Sequence, residues 1–283
     1  MENELIAFIK NALHEDVRDG DHSALACIPK NSQGKAKLLV KDNGIIAGIE
    51  VAKMICAIFD PELKLTFFNE DGDSVKKGDI VLEIEGSARS ILTTERLILN
   101  CMQRMSGIAT QTNQIVSLID GTKAKLLDTR KTTPGIRFLE KWAVKIGGGV
   151  NHRFGLYDMI MIKDNHIDFA GGIKNALKAV RDYQSTNNLN LKVEIEVRNE
   201  DELIEAISFG AFDRIMLDNF SPDEIKRVLP LIPEHYETEA SGGITISNIR
   251  DYAETGVQYI SVGALTHSVK CLDLSLKSEF GCN

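Results

Sequence analysis

The sequence predicts an α/β protein in which an incomplete β/α barrel follows a smaller N-terminal α+β domain with a sandwich-like sheet. From about residue 123 onward, short apolar runs alternate with helical patterns, which favours parallel strands joined by crossover helices. Nearly every one of these runs ends in a polar residue or a glycine. With 283 residues, of which 43% are hydrophobic, the chain is long enough for one large domain and a smaller one.

The first predicted domain covers residues 1–112. Apolar residues at helical spacing near the N-terminus, with charged residues between them, predict an amphipathic helix and not a signal peptide. Residues 36–85 alternate β-rich runs with Gly, Asp and Asn turns around one helical pattern at 50–59, which is typical of a small α+β module. A long helical pattern at 91–119 is expected to bridge the domains, and the tail at about 271–283 is a candidate to pack on the first one.

The second predicted domain covers residues 113–270. Its strand-like runs are AKLLD, YDMIMIK, LKVEIEV, RIMLD, YETEAS and YISVG. The helical patterns between them lie at 171–184, 200–209, 222–229 and 246–255. Because six or seven strands are visible where a complete barrel has eight, we predict an incomplete or distorted barrel, with a doubly wound sheet as the alternative.

Polar residues or glycines follow each of these predicted strands. In chain order they are Arg130 and Lys131, Lys163, Glu196, Asp218, Ser241 to Gly243, and Gly263. In a β/α barrel the active site gathers at the carboxyl ends of the strands. Six separate segments therefore predict a single site on one face of the sheet.

The segment DTRKTTPG at 128–135 places two adjacent cations directly after a strand-like run. From Asp128 to His166 there are seven Lys or Arg and four Asp or Glu, a local charge of 7 − 4 = +3 in a chain whose net charge is −8. This local excess of positive charge favours a pocket for a small polyanion. The charges on the helical pattern that follows, Arg137, Glu140, Lys141 and Lys145, are instead expected to face solvent.

Two late glycine segments suggest what part of the polyanion is bound. SGG at 241–243 and SVGA at 261–264 each follow a strand and precede a helical pattern. Backbone N–H groups in such loops, with the dipoles of the helices behind them, are suited to a phosphate group. The alternative is that these glycines only permit tight turns.

Composition narrows the class of protein and its compartment. The five cysteines are scattered, without a C-x-x-C pair, and the six histidines lack metal-site spacing, so neither a disulfide framework nor a zinc site is predicted. A reducing cytoplasm fits best. His14, His22, His235 and His267 are interpreted as capped or surface imidazoles. An acidic chain without a basic arm is an unlikely nucleic-acid binder, and no apolar run reaches transmembrane length.

These residues together resemble the quinolinate phosphoribosyltransferase family. The resemblance extends over essentially the whole chain, through EDVRDGDHS, TERLILNCMQRMSGIAT, DTRKTTPG, GGGVNHRFGLYDMIMIKDNH, IEVRNEDELIEA, IMLDN, SGGIT and SVGALTHS. It implies transfer of a phosphoribosyl group from PRPP to the ring nitrogen of quinolinate, with loss of pyrophosphate and CO₂, to give nicotinate mononucleotide in NAD biosynthesis. It also implies a Mg²⁺ requirement.

The resemblance further implies a role for each matching position. Quinolinate is assigned to Arg130, His152, Arg153 and Lys163, joined by Arg96 from the neighbouring subunit of a homodimer. Lys131 is placed between quinolinate and pyrophosphate, and Lys131, Lys163, Glu196 and Asp218 form the implied catalytic set. The 5′-phosphate is assigned to Ser241, Gly242, Gly243, Gly263 and Ala264, with Thr129 and Val262 completing the substrate contacts. Mg²⁺ is held mainly through PRPP, with Glu196 and Asp218 as candidate ligands.

Some choices stay open on the sequence. Glu194 faces the same side of its strand as Glu196, and the spacing to Asp218 is one residue longer than expected for the family, so either glutamate is a candidate for the ribose or the metal. A class I aldolase with Lys163 as its Schiff-base lysine is the competing enzyme hypothesis. A catalytically silent sensor of PRPP or pyridine acids is the non-enzymatic one, and a biotinyl-type carrier is disfavoured because Lys76 and Lys77 lie in the wrong part of the hairpin.

Overall fold

The computed structural model describes residues 2–279, and the chain divides into two compact units. The first unit contains the residues up to 113, the segment 133–148 and the residues from 268 onward, and the second contains 114–132 and 149–267. The boundary predicted at residue 112 stays a prediction, and in this division the segment 133–148 belongs with the first unit. Residues 280–283 of the predicted tail lie outside the described residues.

The elements in chain order are as follows. The strands are β1 Gln33–Val40, β2 Gly44–Ile45, β3 Lys64–Phe67, β4 Ser74–Val75, β5 Ile80–Ser87, β6 Lys125–Leu127, β7 Ile160–Ile162, β8 Val193–Val197, β9 Arg214–Asp218, β10 Glu237–Ser241, β11 Tyr259–Ser261 and β12 Leu274–Glu279. The helices are α1 Glu2–Val17, α2 His22–Cys27, α3 Ile49–Phe59, α4 Ala88–Leu118, α5 Arg137–Ile146, α6 Asp164–Ala170, α7 Ile173–Thr186, α8 Glu200–Phe209, α9 Pro222–Val228, α10 Ile249–Ala253 and α11 Ala264–His267. None of these helices is long and apolar enough to cross a bilayer.

The first unit is built on a four-stranded antiparallel sheet in the order β12, β1, β5, β3. Along β1 the side chains alternate between solvent and core, and Leu38 is fully buried opposite Leu82 of β5 and Leu276 of β12. This alternation is typical of an antiparallel sheet with one face covered. The strand β12 thus joins the N-terminal sheet although it lies at the other end of the sequence.

The helix α5 corrects one expectation from the sequence. Glu140 and Lys141 are buried, with 0% and 1% of their surface exposed, so the prediction that they face solvent is wrong. Within the first unit, Glu140 accepts hydrogen bonds from the Arg104 guanidinium of α4 at 2.8 Å and from the Thr133 N–H at 3.0 Å. The periodicity of the sequence identified the polar side of α5. It could not reveal that the long helix α4 brings the opposite charge of Arg104 to Glu140.

The second unit is a six-stranded parallel sheet in the order β6, β11, β10, β9, β8, β7. The first strand of this unit pairs with its last, as in a barrel. In a doubly wound sheet the first strand would lie inside the sheet, at the point where the strand order reverses. In the part of the chain described, β6 and β7 do not form a ladder, and one isolated bridge between Leu127 and Val150 lies beside β6. The incomplete barrel is confirmed, and the doubly wound alternative is wrong.

Buried strands and capped helices explain why this alternation forms. All five residues of β8 are buried, as expected for a parallel strand covered on both faces. Asn199 caps α8 by accepting the Glu202 N–H, and α9 begins with a capping box between Ser221 and Glu224, with Pro222 at its first turn. Side-chain alternation then places Glu194 and Glu196 on one face of β8.

We predict that Gly107→Ala destabilises the first unit. Alanine normally stabilises a helix interior by about 1 kcal/mol relative to glycine. At Gly107 of α4, however, a Cβ would meet the Lys270 carbonyl oxygen and lie 2.9 Å from the Cys271 Cα, both backbone atoms. The midpoint of thermal unfolding, measured by circular dichroism, should fall, by roughly the 1–3 kcal/mol that overpacking costs. Asn100→Ala, at an exposed position on the same helix, is the matched control and should not lower the midpoint.

Candidate active site

A pocket of about 890 Å³ lies at the carboxyl ends of the parallel strands of the second unit. All six parallel strands contribute to its lining, through side chains near their carboxyl ends or through the loops that follow them. The predicted site residues among them are Thr129, Arg130, Lys131, His152, Arg153, Lys163, Glu196, Asp218, Ser241, Gly242, Gly243, Val262, Gly263 and Ala264. The remaining predicted residue, Arg96, is an exposed residue of α4 in the first unit, and its role stays a prediction.

The loop after β6 carries the first cations of the pocket. Arg130 and Lys131 are exposed there, and the Thr129 hydroxyl accepts the Lys131 N–H at 3.0 Å. The Lys131 carbonyl accepts the Thr266 hydroxyl at 2.8 Å, which links this loop to α11. A Cβ at Gly263 would lie 2.9 Å from the Lys131 Cδ, so the Lys131 side chain would have to shift to make room for it.

The two arginines of the pocket repel each other. Arg153 is half-buried and donates from Nη1 to the Met159 carbonyl at 3.1 Å. Burial, and then the positive charge of Arg130, lower the pKa of Arg153. Because an anion placed between two such cations relieves their repulsion, this pair suits a carboxylate or a phosphate.

Carboxylates lie opposite these cations in the pocket. The Lys163 Nζ lies 3.3 Å from the Glu196 Oε2, and Asn219 donates from Nδ2 to the Asp218 Oδ2 at 2.6 Å. Burial raises the pKa of Glu196, and the negative charge of Asp218 raises it further, whereas Lys163 lowers it. Burial also raises the pKa of Asp218, and Lys163 again acts in the opposite direction. Two neighbouring carboxylates of this kind suit a hydroxyl-bearing or cationic group.

Glu194 and Glu196 occupy different environments. Glu196 lines the pocket, whereas Glu194 is fully buried below it and its Oε2 lies 3.0 Å from the His152 Nε2. Of the two glutamates that the sequence left open, Glu196 is thus the one placed to contact a ligand.

The glycine loop after β10 holds Asp218 and Asn219 in place. Gly242 has φ +93° and Asn219 has φ +59°, both in the left-handed region. The Asn219 N–H donates to the Ser241 carbonyl at 2.8 Å, and a Cβ on Gly242 would lie 2.6 Å from the Asn219 Cγ. The expected dipole contribution is small, because α10 and α11 have only five and four residues. Backbone N–H groups are therefore the main donors that this loop offers.

Sequence reasoning missed several residues that line the pocket. They are Met161, Asp164, Met216, Asn219, Glu239, Ile244, Thr245, Ser261 and His267. His267 was interpreted as a surface imidazole, and it is exposed, but at the pocket wall. Two-residue alternation backward from Asp218 and Ser241 could have found Met216 and Glu239, since these share a face of their strands.

The fold and the site together define a class: an open β/α barrel with fixed cations, a carboxylate pair and glycine loops at its strand ends, suited to a substrate that carries carboxylate and phosphate groups. The family comparison is specific. The model of the quinolinate phosphoribosyl transferase C-terminal domain matches residues 108–277, and that of the N-terminal domain matches residues 21–106. The chain belongs to the quinolinate phosphoribosyltransferase family.

Individual relatives agree with this assignment. The chain is 47% identical over 291 aligned positions to a chloroplastic nicotinate-nucleotide pyrophosphorylase of rice, covering 98% of this chain and 78% of that one. It is 45% identical over 262 positions to a probable nicotinate-nucleotide pyrophosphorylase of Bacillus subtilis, covering 93% and 89%. The crystal structure of NadC from Streptococcus pyogenes superposes with a TM-score of 0.92 at 40% identity, covering 98% of this chain and 96% of that one.

We predict that Gly242→Ala abolishes most of the activity without unfolding the protein. The new Cβ would collide with Asn219 and displace the amide that fixes Asp218. Gly256→Ala is the matched control, since Gly256 also has a positive φ of +92° but has open space at its Cβ and does not line the pocket. Both variants should lose thermal stability to the strained φ, Gly242→Ala by more because of its collision, and only Gly242→Ala should lose turnover. Equal turnover in the two variants would contradict the positioning role of Asn219.

Proposed function

We propose that this protein catalyses the decarboxylating transfer of a phosphoribosyl group from PRPP to quinolinate, giving nicotinate mononucleotide, pyrophosphate and CO₂ for NAD biosynthesis. The observation that carries the proposal is the meeting of the DTRKTTPG, NHR and KDNH cations with the two glycine loops in one pocket. Membership of the family supports the same reaction.

Quinolinate fits the cation-rich side of the pocket. It carries two carboxylates, and Arg130, Arg153 and Lys163 offer fixed positive charges to hold them. Arginine binds a carboxylate through two parallel hydrogen bonds, which fixes the plane of the pyridine ring as well as its position. In this arrangement the ring nitrogen is directed at the anomeric carbon of PRPP.

PRPP fits the other side of the pocket. We assign its 5′-phosphate to the backbone N–H groups at 241–243 and 263–264, and its ribose hydroxyls to Glu196 and Asp218. As pyrophosphate leaves, positive charge develops on the ribose ring, and these two carboxylates stabilise it. Lys131, at the boundary between the two substrates, is assigned to the departing pyrophosphate.

Magnesium is the cation that we expect to accompany PRPP. The Glu196 and Asp218 carboxylates fit it, because Mg²⁺ prefers oxygen ligands. Glu196 is buried and Asp218 is half-buried, and burial raises the pKa of each carboxyl group, a penalty that a cation would offset. A Mg²⁺ ion bound with PRPP would neutralise part of the negative charge of the pyrophosphate group. The residues of the chain bind and orient the substrates.

Decarboxylation follows from the chemistry of the product of transfer. Once the ring nitrogen carries the ribose it is positively charged, and it accepts the electron pair left when the neighbouring carbon–carboxylate bond breaks. A proton then replaces CO₂ on the ring. The reaction needs no covalent lysine, and Lys163 acts as a charge partner. Its contact with Glu196 supports this role over the aldolase hypothesis, because a Schiff-base lysine is activated by apolar or cationic surroundings.

Two further properties belong to the proposal. We infer that the protein works in a reducing compartment, the cytoplasm, since Cys27, Cys56, Cys101 and Cys271 are free thiols in the described part of the chain. We also infer a homodimer in which Arg96 completes the neighbouring subunit's quinolinate site.

We predict CO₂ release that depends on both quinolinate and PRPP, with little turnover of nicotinate. Nicotinate lacks one carboxylate and would leave part of the cation cluster unpaired, which costs several kcal/mol in a desolvated site. Labelled CO₂ and product chromatography measure both reactions. Comparable kcat/KM for quinolinate and nicotinate would contradict the assignment.

We predict that Lys163→Ala and Arg130→Ala each lose roughly two to three orders of magnitude in rate, the scale for removing one charge-stabilising group.

We predict that Arg96→Ala and Lys163→Ala homodimers are each nearly inactive but complement each other when refolded together. Each mixed dimer would hold one intact site, so about a quarter of wild-type activity should return if subunits mix at random across a two-fold interface. Arg130→Ala mixed with Lys163→Ala is the matched control, because both residues belong to one subunit's pocket and no intact site can form. If the Arg96 mixture stays inactive while mass spectrometry shows mixed dimers, Arg96 does not act across an interface.

A further inference from the structure

Four ionisable side chains form a buried cluster at the floor of the pocket: His152, Glu194, Arg214 and Glu239, which we call the floor cluster. Each has 8% or less of its surface exposed. The His152 Nε2 lies 3.0 Å from the Glu194 Oε2 and 3.4 Å from the Glu239 Oε2. The Arg214 Nη1 donates to the Glu239 Oε2 at 3.0 Å. None of these contacts is needed to explain the reaction described above.

The register of the parallel sheet creates this cluster. Glu194 pairs with Arg214 across β8 and β9, and Arg214 pairs with Glu237 across β9 and β10. Glu239 lies two residues farther along β10, toward the pocket, and on the same face as Glu237. The Arg214 guanidinium donates from Nε and Nη2 to Glu237 and from Nη1 to Glu239, so it spans two levels of the barrel interior.

Stability alone does not account for such a cluster. Desolvating charged groups is expensive, and well-packed apolar side chains of similar volume are often as stable or more stable. The ligand atoms of His152, Glu194 and Glu239 lie within 4.8 Å of one another, a spacing that a metal ion could use. However, the Arg214 guanidinium already supplies a cation to these carboxylates, at 3.0 Å from Glu239 and 3.9 Å from Glu194.

Glu239 is the ionised carboxylate of the pair. Burial raises its pKa, but hydrogen bonding to His152 and the charges of His152 and Arg214 outweigh this and lower it. The Arg214 Nη1 lies 3.0 Å from the Glu239 Oε2 but 3.9 Å from the Glu194 Oε2, so Glu239 has the closer cation. The negative charge that faces His152 is therefore carried mainly by Glu239.

His152 links this buried charge to the pocket. Its Nε2 edge faces Glu194 and Glu239, and its Nδ1 accepts the Arg153 backbone N–H at 2.6 Å. Burial by itself lowers the pKa of His152, but the two carboxylates outweigh it and raise the pKa to about 9. A second proton on Nδ1 would turn this atom from an acceptor into a donor, which requires the Arg153 N–H to turn away and leaves the Nδ1–H for a carboxylate.

The other groups around the ring do not reverse this effect. On the loop that carries His152, the backbone N–H of His152 donates to the Asp128 Oδ1 at 2.8 Å, and Arg153 follows in sequence. From β11, Ser261 hydrogen-bonds to Glu239, and from β7 the neutral Met161 lines the pocket. On β9, Arg214 partly offsets the carboxylates.

We propose that Glu239 is a positioning residue for substrate binding, which acts through His152 by holding the Nε2 edge of the ring toward the barrel interior and keeping the ring cationic for a substrate carboxylate. This inference rests on the proposed function, because it takes quinolinate as the dianion that is bound. Glu239 itself need not touch quinolinate. Its removal should therefore affect quinolinate binding and leave PRPP binding intact.

The test compares Glu239→Gln with Glu237→Gln. Both variants remove a carboxylate from β10 that is bonded to Arg214, but only Glu239 faces His152. In Glu239→Gln the KM for quinolinate should rise roughly 10- to 100-fold, the scale seen when the hydrogen-bond partner of a metal-ligating histidine is removed, with the KM for PRPP unchanged. Glu237→Gln should keep the wild-type KM for quinolinate.

The pH profile separates positioning from a loss of packing. Quinolinate binding needs the cationic ring, so in the wild-type protein it should weaken as the pH rises through the His152 pKa of about 9. Without the Glu239 charge the His152 pKa falls, and binding should weaken at a pH lower by about one unit or more. A purely structural defect would weaken quinolinate binding without shifting the pH at which binding is lost.

A measurement on the wild-type protein covers the case in which Glu239→Gln does not fold. ¹⁵N NMR of histidine-labelled protein, with His152→Gln to assign the signal, follows protonation of the ring directly. The inference requires His152 to stay an imidazolium well above pH 7, and titration near the ordinary value of about 6.5 would overturn it. Equal KM changes in Glu237→Gln and Glu239→Gln would also overturn it. If wild-type protein releases no CO₂ from quinolinate, the proposed function itself fails.

Discussion

The pairing of β6 with β11 is the constraint on which the site depends. It joins the first and last strands of the second unit, with Tyr259 opposite Lys125 and Ser261 opposite Leu127. The loop with Arg130 and Lys131 is thereby brought beside the loop that begins at Gly263. Without this pairing the cations of one loop and the backbone donors of the other would lie at opposite edges of an open sheet, and no pocket could hold both ends of a large anion.

The order of the strands also distributes charge within the pocket. Cations come from the loop after β6 and from residues on both sides of β7, carboxylates from the ends of β8 and β9, and glycine loops from β10 and β11. A molecule with carboxylates at one end, a ribose in the middle and a phosphate at the other end meets these groups in sequence.

The interior of the barrel is less apolar than is usual for this architecture, where branched aliphatic side chains fill the layers. Here Arg214 bonds to Glu237 and Glu239 and its guanidinium lies 4.2 Å from the centre of the Tyr259 ring, while Glu194 and His152 are buried nearby. These charges compensate one another. Such an arrangement limits the ionisation states of the buried groups, and His152 links these groups to the pocket.

The sequence by itself determined the class of fold and most of the pocket, because both follow from local patterns. Apolar runs that end in Arg130, Lys163, Glu196 and Asp218 reveal strands and their functional ends without knowledge of the strand order, since parallel strands share one carboxyl edge. The motifs that resemble the family are equally local.

Only the tertiary structure decided the matters that depend on which surfaces meet. It buried Glu140 and Lys141 on a helix whose polar pattern predicted exposure, and for Glu140 the partner charge is Arg104 of another helix. It distinguished Glu194 from Glu196, which the sequence cannot separate because they share one face of β8 and differ only in depth. Depth in the barrel is fixed by the register between strands, which pairs Glu194 with Arg214 and depends on how distant parts of the chain pack together.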